Sequence, residues 1–153
     1  MTTLSDIAQA LLDALSDIEG VDQSSISDYL PAVTTRSAAL LIPPMLTQSV
    51  YGYTGMEEAG TPSWQSHRMQ AEFWVKHTGS NSDLVERVRV IQQAAPLALA
   101  QDMTLGGTVD TLAWTEDGEN LDYRIITRTD NELVMIGGAP YLRVTVEVAV
   151  TIL

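Results

Sequence analysis

The chain has 153 residues, with 20 Asp and Glu against 8 Lys and Arg for a formal charge of −12, and 45% of it is hydrophobic. That length suits one domain with a real core, and the apolar fraction excludes a wholly disordered chain. The charge argues against a nucleic-acid binder that works by neutralising phosphates. With no cysteine there are no disulfides or thiolate metal sites, and no apolar run nears the roughly 18 residues of a membrane span. The acidity has two readings: solubility, or a surface that stands near DNA or an acidic membrane without sticking to it. No basic segment followed by an apolar one opens the chain, so no secretory signal is expected.

In chain order, Thr3 to Glu19 reads as an amphipathic helix. Leu4, Ile7, Ala8, Leu11, Leu12, Leu15 and Ile18 form its apolar stripe, with Asp6, Gln9, Asp13 and Asp17 outside it. Thr3 with Asp6 resembles a capping box, and Gly20 is expected to end the helix. Val21 to Pro31 is polar and reads as a connector. Ala38 to Ile42 is a short apolar run that suits a buried strand, closed by Pro43 and Pro44. Thr47 to Gln65 is the least regular stretch, a long loop or a hairpin arm, holding Tyr51 and Tyr53 beside glycines. Those tyrosines suit contact with a partner, or they pack back onto the domain.

His67 to His77 alternates as a strand, with Met69, Ala71, Phe73 and Val75 inward and Arg68, Gln70, Glu72 and Lys76 outward. Trp74 falls on the polar side, where it either lies under another element or meets another chain. From Ser80, the residues Leu84, Val88, Ile91 and Ala95 share one helical face, and Asp83 with Arg87 forms an acid-before-base pair four residues apart. Pro96 predicts a kink and a short second helix, which Gly106 and Gly107 would stop.

Thr108 to Thr115 reads as a strand of weaker alternation. The stretch Glu116 to Asn120 is a turn, and Leu121 to Thr127 alternates again. Leu133 to Ile136 is a short apolar run broken at Gly137-Gly138-Ala139-Pro140. The last strand alternates most clearly, with Leu142, Val144, Val146, Val148, Val150 and Ile152 on one face and Tyr141, Arg143, Thr145, Glu147 and Thr151 on the other. A strand that long should be central or should pair beyond its own domain. The sum is a single α+β domain, a mainly antiparallel sheet packed against an N-terminal helix and a central kinked helix.

The sequence carries no phosphate loop, nucleophile elbow, zinc-protease motif or dinucleotide fingerprint. His67 and His77 are ten residues apart on one strand, roughly 33 Å, too far to share a metal, and both read as strand-end surface residues. Asp117, Glu119 and Asp122 could be taken for a calcium loop, but a hairpin turn explains them better. Glu57 and Glu58 could be half of an acid/base pair, with no partner indicated. No catalytic residue, cofactor or metal is therefore expected.

The helix DLVERVRVIQQAAPLALAQ, the phrase DMTLGGTV, a hairpin and the closing strand APYLRVTVEVAVTI together resemble the tail terminator, or tail completion, proteins of long-tailed bacteriophages. In that family a similar "d-x-t-L-g-G-x-v" phrase, here Asp102 to Val109, often stands between the helix and the strand. The resemblance runs from Ser80 onward and includes Thr3 to Glu19, while Val21 to Gln65 matches nothing in the family. It implies a non-enzymatic virion protein. Such a protein forms a ring, commonly a hexamer, on the head-proximal end of the tail tube, stops tube polymerisation and joins the head–tail connector protein. DNA would pass through without specific binding, and no membrane is involved. Ring contacts close through two different surfaces, and Tyr51, Tyr53, Trp74, Arg143 and Glu147 are the candidate interface residues. Two alternatives stay open: a related head-completion or stopper protein, and a small ligand-binding or enzymatic α+β domain.

Overall fold

A computed structural model describes residues 2–27, 36–55 and 60–153. Helix α1 (Leu4–Leu15) is followed by β1 (Val21–Ile26), β2 (Ala38–Ile42), β3 (Gln48–Gly52) and β4 (Trp64–Lys76). Helix α2 (Asn81–Ala100), β5 (Ile125–Thr129), β6 (Val134–Ile136) and β7 (Ala139–Ile152) complete the order. The strands form one mixed sheet in the order β1-β2-β4-β7-β5, with β3 beside β4 and β6 beside β7. Among the described residues only the β1–β2 pair is parallel; the other five pairings are antiparallel. The fold is the expected α+β arrangement, with both helices packed against the sheet.

The frame is the β4–β7 ladder, which runs from Gln65↔Ile152 to Lys76↔Tyr141. Its period of two sends Met69, Ala71, Phe73 and Val75 to the same side as Val144, Val146, Val148 and Val150, and all eight are buried. Helix α1 covers that side with Ile7, Ala8, Leu11 and Leu15, and α2 covers it with Leu84, Val88, Ile91, Ala95 and Leu99. Each fully buried aliphatic or aromatic side chain stabilises the fold by about 1.5–3 kcal/mol. As its length suggested, β7 lies inside the sheet, with β4 on one edge and β5 and β6 on the other.

Both helices start on capping boxes. Thr3 Oγ1 accepts from Asp6 N at 3.1 Å while Asp6 Oδ2 accepts from Thr3 N at 2.8 Å, and Ser80 and Asp83 repeat the exchange at 3.2 Å. Asp83 is thus engaged at the cap, and the expected Asp83–Arg87 pair does not form. Arg87 reaches instead to the carbonyls of Lys76 and Ser37, tying α2 to the ends of β2 and β4.

Five further expectations are corrected. The polar stretch after Gly20 is not a connector, because Val21–Ile26 pairs with β2 as β1. Backbone groups make that ladder, so an edge strand needs no apolar alternation. There is no second helix after Pro96: α2 runs unbroken to Ala100, with Ala95 and Leu99 both fully buried. Packing of that stripe outweighs the lost hydrogen bond at the proline. The first helix ends at Leu15, a turn before Gly20. Residues 108–115 form no strand, making only isolated bridges at Thr111↔Thr151 and Trp114↔Asp122. Leu121 to Arg124 likewise precede the strand expected there, which begins at Ile125.

The phrase Asp102–Val109 has a physical explanation. Asp102 Oδ1 accepts from Gly106 N at 2.9 Å, and Thr104 Oγ1 accepts from Gly107 N at 3.1 Å. Leu105, Gly106 and Gly107 all have positive φ (47°, 67° and 86°). Glycine takes that conformation freely and leucine does not. Leu105 is held there by burial in the core, as is Val109 four residues on. The phrase is therefore a compact turn that reverses the chain after α2 and pins it beneath the sheet. At the other end of the sheet, Gly137 and Gly138 (φ 58° and 83°) make the two-residue hairpin between β6 and β7.

Candidate functional site

The helices leave the opposite side of the β4–β7 ladder bare along much of its length. Antiparallel register sets Trp74 beside Arg143 and Gln70 beside Glu147, while β5 sets Arg128 beside Thr145 and Ile126 beside Glu147. Three of the five expected interface residues, Trp74, Arg143 and Glu147, therefore share this face. The Arg143 guanidinium lies 5.5 Å from the Trp74 ring centroid, with its Nε 3.0 Å from Asp130 and its Nη1 3.8 Å from Glu72. Glu147 pairs with Arg128. Such partly exposed pairs contribute roughly 0–1 kcal/mol each, so they orient side chains more than they stabilise the fold.

At one end the face becomes a groove of about 360 Å³, lined by Arg68, Gln70, Trp114, Arg124, Arg128 and Glu147 among others. The chain leaving α2 crosses the edge of β7 to build its wall. Ala113 O accepts from Thr151 Oγ1 at 2.6 Å, and Ser66 Oγ accepts from Thr115 N at 3.2 Å. This seats Trp114, and the Arg68 guanidinium stacks 4.2 Å from its ring centroid. Asp122 accepts from Arg124 Nε at 2.9 and 2.8 Å. This contact raises the Arg124 pKa and holds the Asp122 carboxyl below its ordinary value. The four arginines of the face stand beside the four carboxylates of Glu72, Asp122, Asp130 and Glu147, so the chain's excess negative charge lies elsewhere. The buried Nε1 atoms of Trp74 and Trp114 find no hydrogen-bond partner among the described residues.

Tyr51 and Tyr53 are not part of this face. Tyr51 lies on β3 opposite Gln65, on the helix side of the sheet, and meets His67 edge-on with centroids 5.4 Å apart. Both tyrosines are exposed. His67 corrects the expectation of a surface residue, since it is 0% exposed. Its Nδ1 lies 2.8 Å from Ser49 Oγ and its Nε2 2.9 Å from Gln65 Oε1. With the Gln65 carbonyl accepting from Nε2–H, Nδ1 is left to accept from the serine hydroxyl. Burial lowers the imidazole pKa and favours this neutral form. His77 is half-buried and bonds Asn81 at 2.9 Å.

The Asp117 carboxylate is used within its own turn, accepting from Glu119 N and Asn120 N at 2.8 Å each and holding its pKa far below the ordinary value. Glu57 and Glu58 lie outside the described residues. Among the described residues no three His, Cys, Asp or Glu side chains converge on a metal position, and no helix is long and apolar enough to cross a membrane.

Sequence reasoning missed the groove arginines Arg68, Arg124 and Arg128 together with Trp114. Alternation did place the arginines on polar faces, but only strand order shows that those faces are one. It also missed the exposure of the corner leading into β6. Leu133, Val134 and Met135 are 46%, 40% and 65% exposed. No family model and no curated protein matches this chain.

Proposed function

We propose that the chain is a structural ring subunit of a long-tailed bacteriophage. The ring, a hexamer, caps the head-proximal end of the tail tube, ends its polymerisation and offers the surface that the head–tail connector meets. The observation that carries the assembly part of this reading is the β6 corner, where Leu133, Val134 and Met135 stand exposed in succession on a sheet rim. Apolar side chains grouped in this way mark contact surfaces. The kind of assembly comes from the resemblance at Asp102–Val109 and in the closing strand, and the turn formed by that phrase gives a physical reason for its residue pattern. The net charge of −12 suits a channel through which DNA slides without binding.

The test is mass in solution across a concentration series, with negative-stain imaging in the presence of tail tubes. Closed rings that seat on one end of a tube are the expected result, and Met135→Asp should weaken ring formation while leaving the melting temperature of the monomer nearly unchanged. A wild-type chain that stays monomeric and ignores tubes removes the reading. Rings that bind a head connector but not a tube would instead identify a neck protein of the same particle.

A second reading, a small hydrolase, draws on the Ser49–His67 pair, an exposed hydroxyl hydrogen-bonded to an imidazole nitrogen. Turnover of a simple activated ester that is lost in Ser49→Ala would favour it; equal background rates would dismiss it.

A further inference from the structure

The proposed ring requires two different surfaces on one chain that fit each other. Resting on that reading, we propose that the arginine groove of one copy receives the acidic outer row of α1, Asp6 and Asp13, from a second copy. Three observations meet here. The groove gathers Arg68, Arg124 and Arg128 in a chain that has only 8 Lys and Arg in all, and its own carboxylates, Asp122 and Glu147, pair with Arg124 and Arg128. Arg68 makes no ion pair among the described residues and is held flat on Trp114. A guanidinium fixed like that of Arg68 favours a carboxylate with paired hydrogen bonds; Arg124 holds Asp122 through Nε and Nη2 and has Nη1 left to donate.

The complementary surface is α1, whose twelve residues include Asp6 and Asp13 and no Lys or Arg. Its outer side forms a shallow depression with Thr2, Gln9, Ala10 and Thr108. Each carboxylate keeps one oxygen with no hydrogen bond among the described residues, since Asp6 uses Oδ2 at the cap and Asp13 uses Oδ1 on Gln9 Nε2.

The spacing matches. Arg68 pairs with Ala149 across the ladder, and Arg124 directly precedes Ile125, which pairs with Val148, so the two arginines flank β7 at nearly one level. Two strand spacings separate them by about 9.6 Å, and seven helical residues separate Asp6 from Asp13 by about 10.5 Å. The groove and α1 lie on opposite layers of the sheet, so the contact runs head to tail and cannot close as a two-fold dimer.

The experiment reverses one charge on each side. Arg124 and Asp13 are both exposed and lie outside the core, so Arg124→Glu and Asp13→Lys should leave the melting temperature near that of the wild type. Each single reversal should weaken assembly by at least about tenfold, since like charges would then face each other. The two reversals in one chain should restore it, and added salt should weaken the wild-type ring. Rings that keep their wild-type mass in both single variants overturn this contact while leaving the ring itself standing. A wild type that never assembles overturns the ring reading and this contact with it. Duplex DNA retained by the wild type and lost in Arg124→Glu, with mass unchanged, would put nucleic acid in the groove and refute the proposal.

Discussion

Replacing Pro96 by Ala should stabilise the protein. Pro96 sits inside α2, five residues before its C-cap at Gln101. It offers no N–H to the Gln92 carbonyl, and its ring crowds that carbonyl. A mid-helix proline costs about 3 kcal/mol relative to alanine. Here only the last turn lies beyond it, and that turn is anchored by Leu99, which is fully buried. The proline removes one hydrogen bond and stands near the helix end rather than at mid-helix, so we expect a smaller gain, about 1–2 kcal/mol. For a chain of this length each kcal/mol moves the melting temperature by about 2–4 °C, so the increase should be about 4 °C. Pro96→Gly should give roughly 1 kcal/mol less, because glycine is the poorer helix former. Thermal unfolding followed by circular dichroism measures both. A melting temperature that falls in Pro96→Ala would show that the proline sets a bend which α2 needs in order to seat Leu99, and the reasoning would fail.

Leu99→Ala tests the same segment from the core side. A fully buried leucine lost from beyond the proline should cost about 2–5 kcal/mol in chemical denaturation; a cost near zero would mean that the helix does not pack past Pro96. His67 predicts a pH effect. Its folded pKa is lowered by burial, so its contribution to stability is complete above the ordinary imidazole value and is lost as pH falls through that value toward the folded one. His67→Gln should flatten stability between neutral and mildly acidic pH, and an unchanged slope would count against the buried neutral imidazole. Asp117 acts lower on the scale. Its carboxyl is depressed by backbone hydrogen bonds from Asn120 and Glu119, so its contribution is present above the ordinary carboxylate value and lost as pH falls below it. Asp117→Asn should reduce the steepness of acid unfolding, which titration of unfolding against pH would detect.

Much of this protein is written in periodicity. The alternation in β4 and β7, the stripes Ile7–Leu11–Leu15 and Leu84–Val88–Ile91, and the capping residues Thr3 and Ser80 all specify local geometry through neighbours on the chain. That local information was enough for the α+β class and for the side of the sheet on which Trp74, Arg143 and Glu147 lie; for β7 it left a central place and pairing beyond the domain both open.

Tertiary structure alone decided the rest, because it depends on groups far apart in sequence. β1 is a strand only because β2 supplies its partner groups, and polar side chains at an edge leave no apolar pattern to read. Pro96 stays helical because Ala95 and Leu99 have a core to enter. His67 is buried because β3 folds back to set Ser49 and Tyr51 against it. Arg68 and Arg124 stand 56 positions apart and share a groove only once β7 lies between their strands. Side-chain period fixes which way a residue points, but strand order determines what it faces, and no local signal encodes that order.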